Sequence, residues 1–149
     1  MLVLEPGPGM GFFTLELARI AGAGGRVVAV DIQDKMLGAL RRRARRARLL
    51  ERIDARLAAG SELGVKDLNG KVDFVLAFAV VHEVPDQSRF FAETSAALKR
   101  GGKMLISEPS GHVTDARFAA SLALAKGTGL RVESRPEISG SRSAVLVKE

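Results

Sequence analysis

The stretch Leu2-Val3-Leu4-Glu5-Pro6-Gly7-Pro8-Gly9-Met10-Gly11 decides the fold. A short apolar run, the pattern of a buried strand, ends in a glutamate and breaks into glycines at Gly7, Gly9 and Gly11. A helical pattern follows from Thr14 to Ala21, with Leu15, Leu17 and Ala18 at apolar spacing and Gly22 to Gly25 closing it. A glycine loop between a strand and a helix lets the backbone approach a ligand closely, and the helix turns its free N–H groups to the same place. Such a loop alone serves dinucleotides, phosphates and nucleosides alike. The dinucleotide fingerprint G-x-G-x-x-G needs a small third residue. Counted from Gly7 and Gly9, that residue is Phe12, a side chain expected to hold helix and strand apart. The spacing present is E-x-G-x-G-x-G, which disfavours a nicotinamide cofactor.

Strand and helix patterns alternate outward from this loop. Arg26–Asp31 (RVVAVD) is a near-continuous apolar run, expected to be buried on both faces of a parallel sheet. Asp34 is placed to cap a helix reaching about Leu50, with Met36, Leu37, Leu40, Ala44 and Ala47 on one stripe. Asp54–Ala58 is a weaker strand, Gly60–Lys71 a loop with one helical turn, and Val72–Phe78 a buried strand. Asp86 caps a helix to Leu98 that Gly101 and Gly102 close; Lys103–Glu108 is a strand; Thr114 caps a helix to about Lys126. Leu130–Ser134 and Ala144–Lys148 form a terminal hairpin. Alternating strands and helices with right-handed crossovers make an α/β doubly wound, Rossmann-like sheet with helices on both faces. The 149 residues are expected to form a single domain.

Asp31 ends the second strand, 20 residues after Gly11. A carboxylate at that offset accepts both hydroxyls of a ribose. Ile32, next in the chain, suits the face of a purine. A turn or cap is the plainer role for Asp31, but loop and acid occur together at the expected separation.

Composition bounds the chemistry. There is no cysteine, which excludes disulfides, thiolate metal sites and cysteine nucleophiles. No apolar run approaches the roughly 20 residues of a membrane span, and no leader pattern precedes the first strand. The cytoplasm is the expected setting. The net charge of +6 is concentrated in LRRRARRARLL, at Arg41, Arg42, Arg43, Arg45, Arg46 and Arg48. These fall opposite the apolar stripe, where a solvated face is the ordinary reading. Nucleic acid is a lesser reading, because no aromatic residue interleaves the arginines.

Together, VLEPGPGMG, VVAVDIQDKML, VDFVLAFAVVHEV and ALKRGGKMLISEP resemble the motifs of class I S-adenosylmethionine-dependent methyltransferases of the small methyltransferase-domain type. The resemblance covers nearly the whole chain. It implies strand order 3-2-1-4-5-7-6 with the last strand antiparallel, and S-adenosyl-L-methionine as cofactor. It implies that Glu5 and the backbone of Gly7, Gly9 and Gly11 hold the methionine end, that Asp31 binds the ribose, and that Ile32 lies beside the adenine. Ser61 or Glu62 would meet the adenine amino group, and Ala77 and Phe78 would face the methionine moiety. The missing cysteine excludes covalent C5-pyrimidine and thiol-dependent arsenic methylation. AFAVVHEV departs from the motifs of amino-methylating DNA enzymes and of protein arginine methyltransferases. What remains is a small-molecule acceptor, the expected partner, or an RNA or protein target recognized by other means.

The chain has two histidines, His82 after the fourth strand and His112 after the fifth, with Glu83 and Glu108 near them in sequence. Histidine suits proton removal from a hydroxyl or amine acceptor. His82 is favoured as the catalytic base because the fourth strand adjoins the first. Capping the next helix is its plainer role, and no metal is assigned. Members of the resembled family usually carry a helix before the first strand, whereas here Met1 abuts it. The expectation is a homodimer in which a second copy covers the bare face. The alternative reading is a nucleoside-binding module without activity, or a truncated fragment.

Overall fold

A computed structural model describes all 149 residues. Seven strands form one sheet in the order β3-β2-β1-β4-β5-β7-β6. The strands are β1 Leu2–Pro6, β2 Arg26–Asp31, β3 Ile53–Leu57, β4 Val72–Phe78, β5 Leu98–Pro109, β6 Leu130–Ser134 and β7 Ser141–Lys148. β1 to β5 pair in parallel, and β7 runs antiparallel to both β5 and β6. The expected order and the antiparallel last strand are both present. The helices are α1 Phe12–Ala21, α2 Asp34–Arg46, α3 Gln87–Ala97 and α4 Asp115–Lys126. None is long and apolar enough to cross a membrane.

Burial on both faces divides the core in two. α1 and α2 close a cluster of eight buried residues that includes Val3, Val27, Ala29 and Leu40. α3 and α4 close a cluster of 21 on the opposite face, including Leu4, Val28, Val75, Phe90, Phe91 and Phe118. Alternate residues of β1 and β2 thus point into different clusters, which is why these strands read as unbroken apolar runs. Beyond α1, on its face of the sheet, Phe74, Phe78, Leu105 and Val145 are only half-buried, and Phe13 and Ile20 are exposed on α1.

Two caps lie where the sequence indicates them. The Asp86 side chain accepts from Arg89 N–H at 3.0 Å, and Thr114 Oγ1 accepts from Arg117 N–H at 3.2 Å. Other boundaries differ. Gln33 caps α2, with Asp34 as its first helical residue. α2 stops at Arg46, because Arg48 takes a left-handed φ of 59° and the chain turns through a short 3-10 segment at Leu50–Arg52. Gly101 and Gly102 do not end α3. They lie inside β5, where the register against β4 shifts between Val72↔Leu98 and Phe74↔Lys103. A Cβ on Gly102 would sit 2.8 Å from Lys99 O, so glycine is what lets the strand bulge there. Phe12 does not wedge α1 from β1; it lies at the outer start of α1 and is 61% exposed. The tight approach falls at Gly11, where a Cβ would lie 3.0 Å from Leu40 Cγ of α2.

Candidate active site

β1 ends in the center of the sheet, and its loop turns over the carboxyl ends of β2 and β4. Gly7 N–H donates to Val30 O at 2.8 Å, which ties the loop to β2. Gly7 has φ +68°, and a Cβ there would stand 2.5 Å from Val80 Cγ2 just beyond β4. A side chain at this position would meet both backbone strain and collision. A Cβ on Gly9 would meet nothing within 4 Å, so its backbone faces open space.

That space is a cleft of about 230 Å³. Gly7, Gly9, Asp31, Ile32, Ser61 and Glu62 all line it, together with Ala79, Val80 and Glu83 from the segment after β4. Asp31 Oδ1 accepts from Gln33 N–H at 2.9 Å, while Oδ2 has no protein partner. Ile32 presents a 67% exposed side chain. Glu62 is ion-paired with Arg89 of α3, which fixes the far wall.

The remaining predicted residues lie outside the lining. Glu5 sits beneath the loop, 3% exposed, and its Oε1 accepts from the Thr14 hydroxyl of α1. Gly11 packs on Leu40. Ala77 is fully buried in the α3–α4 cluster. Phe78 turns to the other face, where its ring lies 4.7 Å from that of Phe13. Alternation along β4 accounts for both. The residues that reach the cleft there are Ala79 and Val80, which sequence reasoning missed. Ala79 holds φ 57°, rare outside glycine, and its N–H donates to Ser107 O at 2.7 Å. No sequence signal marks it.

His82 is not among the residues that line this cleft; it lines a smaller one of about 140 Å³ with Gln87, Glu108, Arg117 and Ser121, while its neighbor Glu83 lines the larger. Glu108, 2% exposed, accepts from Val81 N–H at 3.0 Å and His82 N–H at 3.1 Å, and its Oε2 is 2.5 Å from His82 Nδ1. His82 Nε2 lies 3.7 Å from the carboxylate of Glu83, which lines the larger cleft. The His112 ring stacks at 6.2 Å. Glu108 was legible only as a strand-ending Glu-Pro; its hold on His82 needs β4 and β5 side by side. No group of His, Asp and Glu side chains is arranged to hold a metal ion.

The cleft presents an open carboxylate oxygen on Asp31 beside the apolar Ile32, and the Glu5 carboxyl lies buried beneath its glycine loop. Fold and cleft define a doubly wound nucleoside-cofactor domain. A family model described as a methyltransferase domain matches residues 4–106. The chain belongs to the methyltransferase domain family.

Individual relatives agree with that placement. An arsenite methyltransferase of Halobacterium salinarum is 31% identical over 106 residues, covering 71% of this chain and 26% of the relative. A ubiquinone biosynthesis O-methyltransferase of Paramagnetospirillum magneticum is 33% identical over 102 residues, covering 68% of this chain and 38% of the relative. The chain thus spans well under half of these curated relatives. Among solved structures, a SAM-dependent methyltransferase from Aquifex aeolicus superposes with a TM-score of 0.82 at 22% identity, covering 99% of this chain and 82% of that one. At that identity the likeness is one of fold.

Burial pushes the Glu5 carboxyl from 4.5 up to about 7, partly offset by the Thr14 hydroxyl. Between those values the native chain keeps a proton that the unfolded chain has released. This group's contribution to stability is therefore full below pH 4.5 and is lost as the pH rises through about 7. The total loss is about 3 kcal/mol. Thermal melts across this window are expected to show that decline in the free chain, and Glu5→Gln is expected to flatten it and to melt higher in alkaline buffer.

Proposed function

We propose that the larger cleft binds S-adenosylmethionine and that the chain passes its methyl group to a small acceptor through a hydroxyl. The observation carrying this reading is the convergence of Gly7, Gly9, Asp31, Ile32 and Ser61 on one cleft in a methyltransferase-family domain. The cofactor brings an already activated methyl on a sulfonium. The chain's own work is to bind, orient and move a proton. Asp31 Oδ2 accepts from the ribose, Ile32 covers one face of the adenine, and Ser61 or Glu62 meets its edge. Glu5 sits below the loop as counter-charge to the ammonium of the methionine end.

His82 is the general base in this reading. Glu108 keeps its proton on Nδ1, so Nε2 takes the acceptor's hydroxyl proton as the oxygen attacks. The Glu83 carboxylate then steadies the charged ring. The O-methyltransferase relative supports a hydroxyl acceptor. The proposal also includes a second copy of the chain over the half-bare face at Phe13, Phe74 and Phe78, which would bury it from water.

Calorimetric titration with S-adenosylmethionine and S-adenosylhomocysteine tests the cofactor. Micromolar binding of both is expected, weakened about tenfold to a hundredfold in Asp31→Ala by loss of hydrogen bonds to a charged acceptor. Undiminished binding by the variant would remove Asp31 from the site. Nitrogen NMR of His82 in mildly alkaline buffer is expected to show a protonated Nδ1 and a free lone pair on Nε2. Glu108→Ala should scramble the two forms, and a proton found on Nε2 of the unaltered chain would sink the base assignment. Light scattering should give twice the 15.9 kDa chain mass; a monomer at micromolar concentration would refute self-association.

A further inference from the structure

The arginines of α2 are not an ordinary solvated face. Such faces usually mix charges, with acids spaced to pair with the bases. Here Arg42, Arg43, Arg45, Arg46 and Arg48 make no ion pair. The nearby carboxylates are few. Glu16 of α1 is paired with Arg19, Asp34 lies at the far end of α2, and Glu51 follows beyond it.

The surface is also concave. Arg42, Arg43 and Arg46 wall a groove between α1 and α2 of about 500 Å³, floored by Leu15, Ala39 and Ala47. The fold then supplies what the arginine run lacks in sequence. Phe12, at the start of α1, is 61% exposed, and the Arg43 guanidinium lies 4.3 Å from its ring center. A flat aromatic surface therefore stands at the end of a groove lined with unpaired guanidinium groups.

We propose that this α1–α2 groove binds a single-stranded nucleic acid. Its phosphates would pair with Arg42, Arg46 and their neighbors, and one unstacked base would lie on Phe12 beside Arg43. Arginine forks match phosphate oxygens, and an aromatic ring takes any base by stacking. A smooth polyanion would use the charge but not the ring. The groove draws on no residue of the cofactor cleft, so the inference stands apart from the methyltransferase reading.

Fluorescence anisotropy with a labeled oligouridine of about a dozen nucleotides tests it. Micromolar binding at low salt is expected. Arg42→Gln with Arg46→Gln should flatten the dependence of log affinity on log salt by about 1.4. Phe12→Ala should weaken binding about fivefold or more with the salt slope unchanged, and Phe12→Tyr should restore it. Thermal melts check that each variant folds. Absence of binding at low salt would overturn the proposal. So would duplex RNA or heparin competing as well as the single strand while Phe12→Ala binds normally, since that pattern is charge attraction alone.

Discussion

The hydrogen bond from Gly7 N–H to Val30 O is the contact on which the site depends. It holds the turn out of β1 against the neighboring strand, and it requires a backbone that only glycine takes without strain. With Gly7 fixed, Gly9 faces open space, Gly11 seats α1 against α2, and Asp31 arrives at the same edge one strand over. Val80 closes the other side because no Cβ stands in its way. A single backbone geometry thereby sets the floor of the cleft, the start of the first helix and the position of Asp31.

Glu5 and Glu108 illustrate two ways of burying a carboxylate. Glu108 is met from the turn just after β4 by two backbone N–H groups and the His82 ring, so its oxygens are satisfied within the protein. Glu5 has the Thr14 hydroxyl and little else, and burial raises it toward neutrality. The first arrangement is complete without a ligand. The second leans on a single hydroxyl, so protonation rather than pairing relieves its burial.

Much of this was readable from residues that act locally. The apolar runs of β1, β2 and β4, the caps at Asp86 and Thr114 and the offset from Gly11 to Asp31 each depend on a few adjacent positions. What the sequence hid depends on contacts between distant segments. Gly101 and Gly102 look like a helix stop until β4 is beside them, when they become a bulge. Phe12 looks like an obstacle to packing until the helix start turns it outward. Ala77 and Phe78 look like cleft residues until strand alternation sends them to opposite faces and leaves Ala79 and Val80 at the rim. The clasp of Glu108 on His82 joins residues 26 apart, and no local pattern announces it.

The division of the core has a consequence for motion. The layer of α1 and α2 rests on eight buried residues, the opposite layer on 21. Local opening free energy follows buried apolar contact, so the smaller layer exchanges its amide hydrogens first, without the rest of the sheet opening. The cleft lies across the seam, with the glycine loop and Ile32 on one side and Leu63, Val84 and Phe90 on the other. A molecule lodged there touches both layers and is lost when either one opens. Occupancy thus couples two units that otherwise fluctuate separately, and the less stable half of the domain gains protection from a ligand held partly by the more stable half.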